Sequence, residues 1–203
     1  MDEEVRERGD AYRIYTTDRP GLSVPYLPTT DVHGRRDHGY VDLRDKPDAV
    51  ARIPEADGQP GLTLFLQQVN APGKGLMSLS ASVEAAKVRA GAAAPENGQA
   101  PTDFIDSTVV ITFREPDLAT GHNVLVVARR LMEVRQADPR EWASYDLGIQ
   151  PLRSLFGIGN LAGLTIRIRA MGANEASAWQ NFNFHWSQLA AAVRKLKLVP
   201  AAG

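Results

Sequence analysis

The chain has no cysteine, which excludes a disulfide framework, a thiolate zinc site and a cysteine nucleophile. An excess of charge of either sign is also missing: 23 Lys and Arg stand against 24 Asp and Glu, a formal net charge of −1. That balance argues against a nucleic-acid binder held by a basic surface and against a polybasic protein of the membrane surface. No apolar run approaches the roughly 18–20 residues that a membrane-spanning helix needs. The opening Met-Asp-Glu-Glu is acidic and lacks the apolar stretch of a secretory signal. Nor is there a repeat at a fixed period. These absences point to a cytoplasmic protein, or one assembled in the cytoplasm into a virion, with no cofactor and no membrane partner.

A length of 203 residues suits one domain, or a small domain with a long appendage. The two halves differ. Residues 1–103 hold 12 basic and 16 acidic side chains, residues 104–203 hold 11 and 8, and nine of the 13 prolines fall in the first half. An acidic front and a basic back can fold onto one another or pair head to tail between copies. Residues 91–103 have no large apolar side chain and cannot offset their own ordering entropy. The expected organisation is therefore an extended, strand-rich N-terminal segment over 1–90, a flexible linker or long loop over 91–103, and an α+β domain over 104–203.

Local patterns assign the elements. Ala11–Thr17 reads as a strand, and Tyr40–Arg44 alternates as a strand with one buried face would. Pro47–Ile53 suits two helical turns with Pro47 near the first position. Gly61-Leu-Thr-Leu-Phe-Leu66 is nearly all apolar and reads as a buried strand. Met77, Leu79, Ala81 and Val83 alternate with serines, again strand-like, whereas Glu84–Ala90 prefers helix. Asp106–Phe113 is the clearest strand, and Asp103 and Asp106 look like caps at its entrance. Val124, Val127, Ala128, Leu131 and Val134 make one helix face, with Asn123 as N-cap. Asp138-Pro139 and Pro151 open further helical turns. Leu164–Ala170 alternates with one apolar and one basic face. Trp179, Phe182, Trp186, Leu189, Val193 and Leu196 form a helical seam of about five turns, with Ser177 and Gln180 resembling a capping box. Phe182, Phe184 and Trp186 also fit period two, so a strand over 179–186 stays open beside the helix. The fold class that follows is α+β, a mixed and mostly antiparallel sheet with a long amphipathic C-terminal helix and an extended, strand-containing N-terminal segment.

Chemical motifs are few. Gly157-Ile-Gly159-Asn-Leu-Ala162 fits the dinucleotide pattern, but a strand follows it where a helix must receive the pyrophosphate. Pro72-Gly-Lys-Gly75 has Gln68 where a phosphate loop needs glycine, and Gly75 where it needs a hydroxyl. Asp31, His33, Asp37 and His38 are metal ligands in kind, and they would serve a small metal-dependent hydrolase or ligand-binding protein. Arg35 and Arg36 among them oppose a cation, so a polar loop without metal is the preferred reading. Eighteen arginines against five lysines favour forked, bidentate pairing of the sort used at interfaces. The basic face of 164–170 offers Arg167 and Arg169 for it, and Tyr12, Tyr15 and Tyr26 are the matching aromatic contacts of the N-terminal segment.

About 100 proline-punctuated residues with few helical signals are hard to bury in one core. They suit an arm or added strands lying on another subunit. The expectation is a non-enzymatic structural protein whose partners are protein subunits, its own copies or other parts of a particle such as a phage tail, neck or baseplate. Nucleic acid is not among the expected partners.

Overall fold

The alternation over Leu164–Ala170 governs the architecture. Leu164, Ile166, Ile168 and Ala170 are 1% exposed or less, while Arg167 stands exposed on the other side. They lie in the middle of a six-stranded sheet in the computed structural model, which describes residues 3–9, 11–19, 21–30, 36–87, 101–134 and 143–197.

Among these residues the strands are β1 (Glu3–Gly9), β2 (Tyr12–Thr17), β3 (Ser23–Val24), β4 (Thr29–Thr30), β5 (Arg36–Asp37), β6 (Leu76–Lys87), β7 (Asp103–Phe113), β8 (Ala143–Leu152), β9 (Ser154–Leu155) and β10 (Leu161–Gly172). The α-helices are α1 (Pro60–Val69), α2 (Gly121–Val134) and α3 (Glu175–Lys195). The large sheet runs β1-β2-β8-β10-β7-β6 and is antiparallel at every junction except β2–β8. The fold is thus α+β, with a mixed, mostly antiparallel sheet and a long C-terminal helix. β1, β2 and β6 pair into the same sheet as β7, β8 and β10. β6 and β7 are neighbours, with Lys87 opposite Asp103, and residues 91–100 between them lie outside the described part.

The helices share one face of the sheet: α3 lies on β10 and β7 and touches both α1 and α2. Its seam is fully buried at Phe182, Trp186, Leu189 and Val193, so the helix runs unbroken through 179–186. Trp186 stacks against Phe65 of α1 with ring centroids 4.7 Å apart. Its indole Nε1 donates to Ser107 Oγ (3.0 Å), which in turn donates to the Ile168 carbonyl (3.1 Å), so no polar atom of the group is stranded. α1 and α3 cross so closely that a Cβ on Gly61 would lie 2.1 Å from the backbone oxygen of Asn183. Only glycine allows that approach.

Several local expectations are corrected. Gly61–Leu66 is helix, not strand: Pro60 opens α1 at its first turn, and Leu62, Phe65, Leu66 and Val69 bury the face at spacings of three, one and three. Leu64, the residue that made the run look apolar throughout, points outward at 42% exposed. Tyr40–Arg44 forms no strand. Asp42 instead turns back on Arg44 (Oδ2–Nη2 2.7 Å) and Asp45 takes φ +56°, which ends extended chain. Pro47–Arg52 is helical over two turns as expected, in 3-10 form with Pro47 in its first turn. Strand continues past Glu84 to Lys87 in place of helix. At α2 the cap is Thr120, whose Oγ1 accepts from Asn123 N (3.2 Å), and at α3 it is Asn174, whose Oδ1 accepts from Ser177 N (2.9 Å). Ser177 closes that capping box by accepting from Asn174 N (3.1 Å). Pro151 sits inside β8, beyond Ile149 where pairing with β2 stops, so its missing N–H costs no ladder bond. Asp103 begins β7 and Asp106 lies within it, neither as an entrance cap. Asp138-Pro139 lies outside the described residues.

Candidate interaction surface

Opposite the helices, no described helix covers the stretch of sheet around Arg13, Asp146, Arg167 and Asp106, and strand alternation decides what stands there. β2 contributes Arg13 and Tyr15, β8 contributes Asp146 and Gly148, β10 contributes Thr165, Arg167 and Arg169, and β7 contributes Asp106. Register sets them in rows. Arg13, Asp146, Arg167 and Thr108 are successive cross-strand neighbours, and so are Arg169, Asp106 and Glu84.

The charges in these rows pair. Arg13 Nε donates to Asp146 Oδ1 (2.5 Å), and its Nη1 lies 3.3 Å from Glu3 Oε2. Arg167 grips Asp106 with two nitrogens, Nε to Oδ1 at 2.8 Å and Nη2 to Oδ2. Arg169 Nη2 reaches the same Oδ2 at 3.4 Å, and its guanidinium carbon lies 5.7 Å from the Phe104 ring centre. Burial alone would push the Asp106 carboxyl up, but Arg167 and Arg169 outweigh it and hold the group below the ordinary carboxylate range. The hydrogen bond to Asp146 raises Arg13, and the one to Asp106 raises Arg167.

Tyr15 packs closely over Gly148: a Cβ there would come within 2.8 Å of the phenol oxygen. Arg13 covers the Tyr15 ring at 4.8 Å from its centre. Burial, and then the Glu3 charge, lift the phenol above its usual range. Among the described residues, two buried polar atoms of β10 have no hydrogen-bond partner, Thr165 Oγ1 and Arg169 Nε. Both belong to the residues that flank Arg167 along this face.

Of the five interaction residues expected from sequence, Arg167, Arg169 and Tyr15 therefore meet on one surface. Tyr12 does not: it points to the helix side, where its hydroxyl donates to Glu7 Oε1 (2.8 Å) and Glu7 in turn accepts from Arg129 of α2 (3.2 Å). Tyr26 packs near Tyr40 with centroids 6.4 Å apart, at the rim of a cleft of about 410 Å³ that is open to solvent beside β6. The cleft floor is Val41, Ile53, Leu66 and Leu79, and His38 and Glu55 stand among its lining residues. His38 is the member of the suggested metal set whose side chain is described, and it is exposed. Asp31 and His33 lie outside the described residues, and for Asp37 the description covers only the backbone of β5. Among the described residues no group of three or more His, Asp or Glu is placed to hold a metal ion.

Sequence reasoning missed Asp146 and Asp106 as the partners of the arginines, because they arrive from other strands. It also missed a buried polar pair on the helix side. His185 of α3, 2% exposed, sets Nδ1 2.6 Å from the Tyr145 hydroxyl of β8. The alternation of Tyr145 with polar neighbours along Ser144–Asp146 was the available signal for the inward direction of that ring. No family model matches the chain, and no curated protein or solved structure matches it significantly.

Proposed function

We propose that this chain is a non-enzymatic assembly protein that docks other protein subunits through the uncovered face of its sheet. It is a building block of a larger homo- or hetero-oligomeric particle, of the kind that a phage tail, neck or baseplate uses, and β1 and β2, paired onto β8 of the same sheet, widen the docking face. The observation that supports this reading is the sheet face that no described helix covers, with its lattice of guanidinium and carboxylate groups. Arg13, Arg167 and Arg169 are matched there by Asp146, Asp106 and Glu84, so the surface lacks the net positive charge that phosphate backbones select. Forked arginines in a pattern of mixed sign fit a protein surface with its own carboxylates and carbonyls.

The test is native complex size. In a gentle extract of expressing cells, the wild-type chain is expected in a complex larger than a dimer. The double variant Arg167→Glu with Arg169→Glu is expected to run at the size of the free chain or a dimer, with unchanged far-UV circular dichroism. Co-elution of the variant with wild type would overturn the reading.

A further inference from the structure

Among the described residues the outer edge of β6 is open in one part and closed in another, and the division falls at the strand's own irregularity. Its first residues are closed. Leu76 O accepts from Arg114 Nε (2.8 Å), and Ser78 N donates to the buried Asn70 Oδ1 (3.1 Å), while Asn70 Nδ2 returns a bond to Ser78 Oγ (2.8 Å). The pairing with β7 then slips by one residue between Ser78 and Ser80. Before the slip Gly75 O accepts from Arg114 N (2.8 Å), so odd residues face β7; after it, even residues do, and Ala81, Val83 and Ala85 turn their N–H and C=O groups outward. No described backbone group bonds to them there.

Native sheets guard such edges with charge, proline or bulges. β1, the opposite edge, is guarded: it carries Glu3, Glu4, Arg6, Glu7 and Arg8, and a register slip between Val5 and Glu7. Ser80-Ala-Ser-Val-Glu-Ala-Ala86 has one charge, small side chains and no proline. Lys87 at its end is taken up by Asp103 (Nζ–Oδ1 2.5 Å).

We infer that this edge is a strand-addition site and that its occupant is β6 of a second copy, paired antiparallel about a two-fold axis at Val83. The inference deepens the assembly reading by supplying a second contact, distinct from the sheet face. The register follows from the backbone and the charge. Outward groups must meet outward groups, so the pairs are odd with odd: Val83 with Val83, and Ala81 with Ala85. An axis at Glu84 would set two carboxylates directly opposite, which is unfavourable; an axis at Val83 sets Glu84 against Ser82. Three such pairs give about six backbone hydrogen bonds. On the helix side they join Val83 to Val83 and Ala81 to Ala85, extending the apolar layer that Ala81 and Val83 already pack against. A single isologous contact closes both copies' edges at once, which a foreign strand would not.

The test uses the purified full chain and light scattering after size exclusion. Wild type is expected as a dimer. Ala85→Pro removes an outward N–H from an exposed residue on an edge, where proline is tolerated, and is expected to be monomeric with unchanged circular dichroism. The double variant Arg167→Glu with Arg169→Glu is expected to remain dimeric. Because the chain has no cysteine, a spin label on Ser82→Cys reads the register independently: strong dipolar broadening is expected there and none from Arg167→Cys. A monomeric wild type, or a dimeric Ala85→Pro, overturns the inference. A dimer with coupling at position 167 and none at 82 overturns it as well, and leaves the sheet-face reading standing.

Discussion

The two faces of the sheet are made by the same strands, residue by residue in alternation, yet they differ in almost every physical respect. Toward the helices stand Ile14, Tyr145, Leu147, Ile166, Ile168 and Val109, each 1% exposed or less. Away from them stand Arg13, Asp146, Arg167 and Asp106, whose side chains keep 40, 26, 45 and 16% of their exposure. On the first face energy comes from area removed from water and from filled volume, where there is no ion pair for salt to screen. On the second it comes from ion pairs that water and salt screen, so it contributes little to stability and leaves those groups available for recognition. A face that adds little to folding but is built from matched charges is better explained by what it meets than by what it holds together.

The largest difference between the faces should come from Trp186→Ala. The indole is fully buried against Phe65 and Phe182 and donates to Ser107 Oγ. Removing it leaves a cavity and takes away the hydrogen bond that Ser107 Oγ accepts, at a cost of about 3–5 kcal/mol, a large share of the roughly 5–15 kcal/mol that holds a domain together. Chemical denaturation should show a midpoint lowered accordingly; a loss below about 1 kcal/mol would mean that the helix layer is not the stabilising one. Tyr145→Phe probes the same face more gently. It keeps the ring and takes away the hydroxyl 2.6 Å from His185 Nδ1, a buried polar contact whose loss costs about 1–3 kcal/mol. Tyr145→Phe should therefore be clearly less stable than wild type in chemical denaturation.

How far this contrast was legible in the sequence depends on how local its cause is. Leu164–Ala170 declares both faces in seven residues because alternation is a property of one strand, and Arg167 and Arg169 were assigned to the outer face on that ground alone. The α3 seam was legible for the same reason, its six apolar positions recurring at helical spacing. Gly61–Leu66 was misread because a short, nearly unbroken apolar run has no period of its own, and the helical spacing appears only when the run is read on to Val69 with Pro60 at its first turn. Tyr40–Arg44 alternates like a strand, but a strand needs a neighbour, and the Asp42–Arg44 pair with the turn at Asp45 satisfies the segment locally instead. The candidate surface shares this limit. Tyr15 resting on Gly148, Arg13 on Asp146 and Arg167 on Asp106 are pairings between strands, set by a register that no single stretch of sequence contains.

The smallest effect is expected on the open face, and it has a distinct signature. Asp106 is held below its ordinary pKa because Arg167 and Arg169 outweigh its partial burial. A carboxyl whose folded pKa is depressed adds stability above its unfolded pKa of about 3.9 and loses that contribution as pH falls through the folded value. Asp106→Asn removes the titration while keeping the shape. At neutral pH the variant should be less stable by about 1 kcal/mol or less, since the arginines remain in contact with water. As the pH is lowered from about 5 toward 2 the gap should close, because the wild-type carboxyl becomes protonated and its advantage disappears. The difference should also shrink in high salt at neutral pH, whereas the loss from Trp186→Ala should persist across both series. Denaturation midpoints of wild type and Asp106→Asn that stay parallel at every pH would show that the lattice contributes no electrostatic stabilisation, and would remove the physical distinction drawn between the faces.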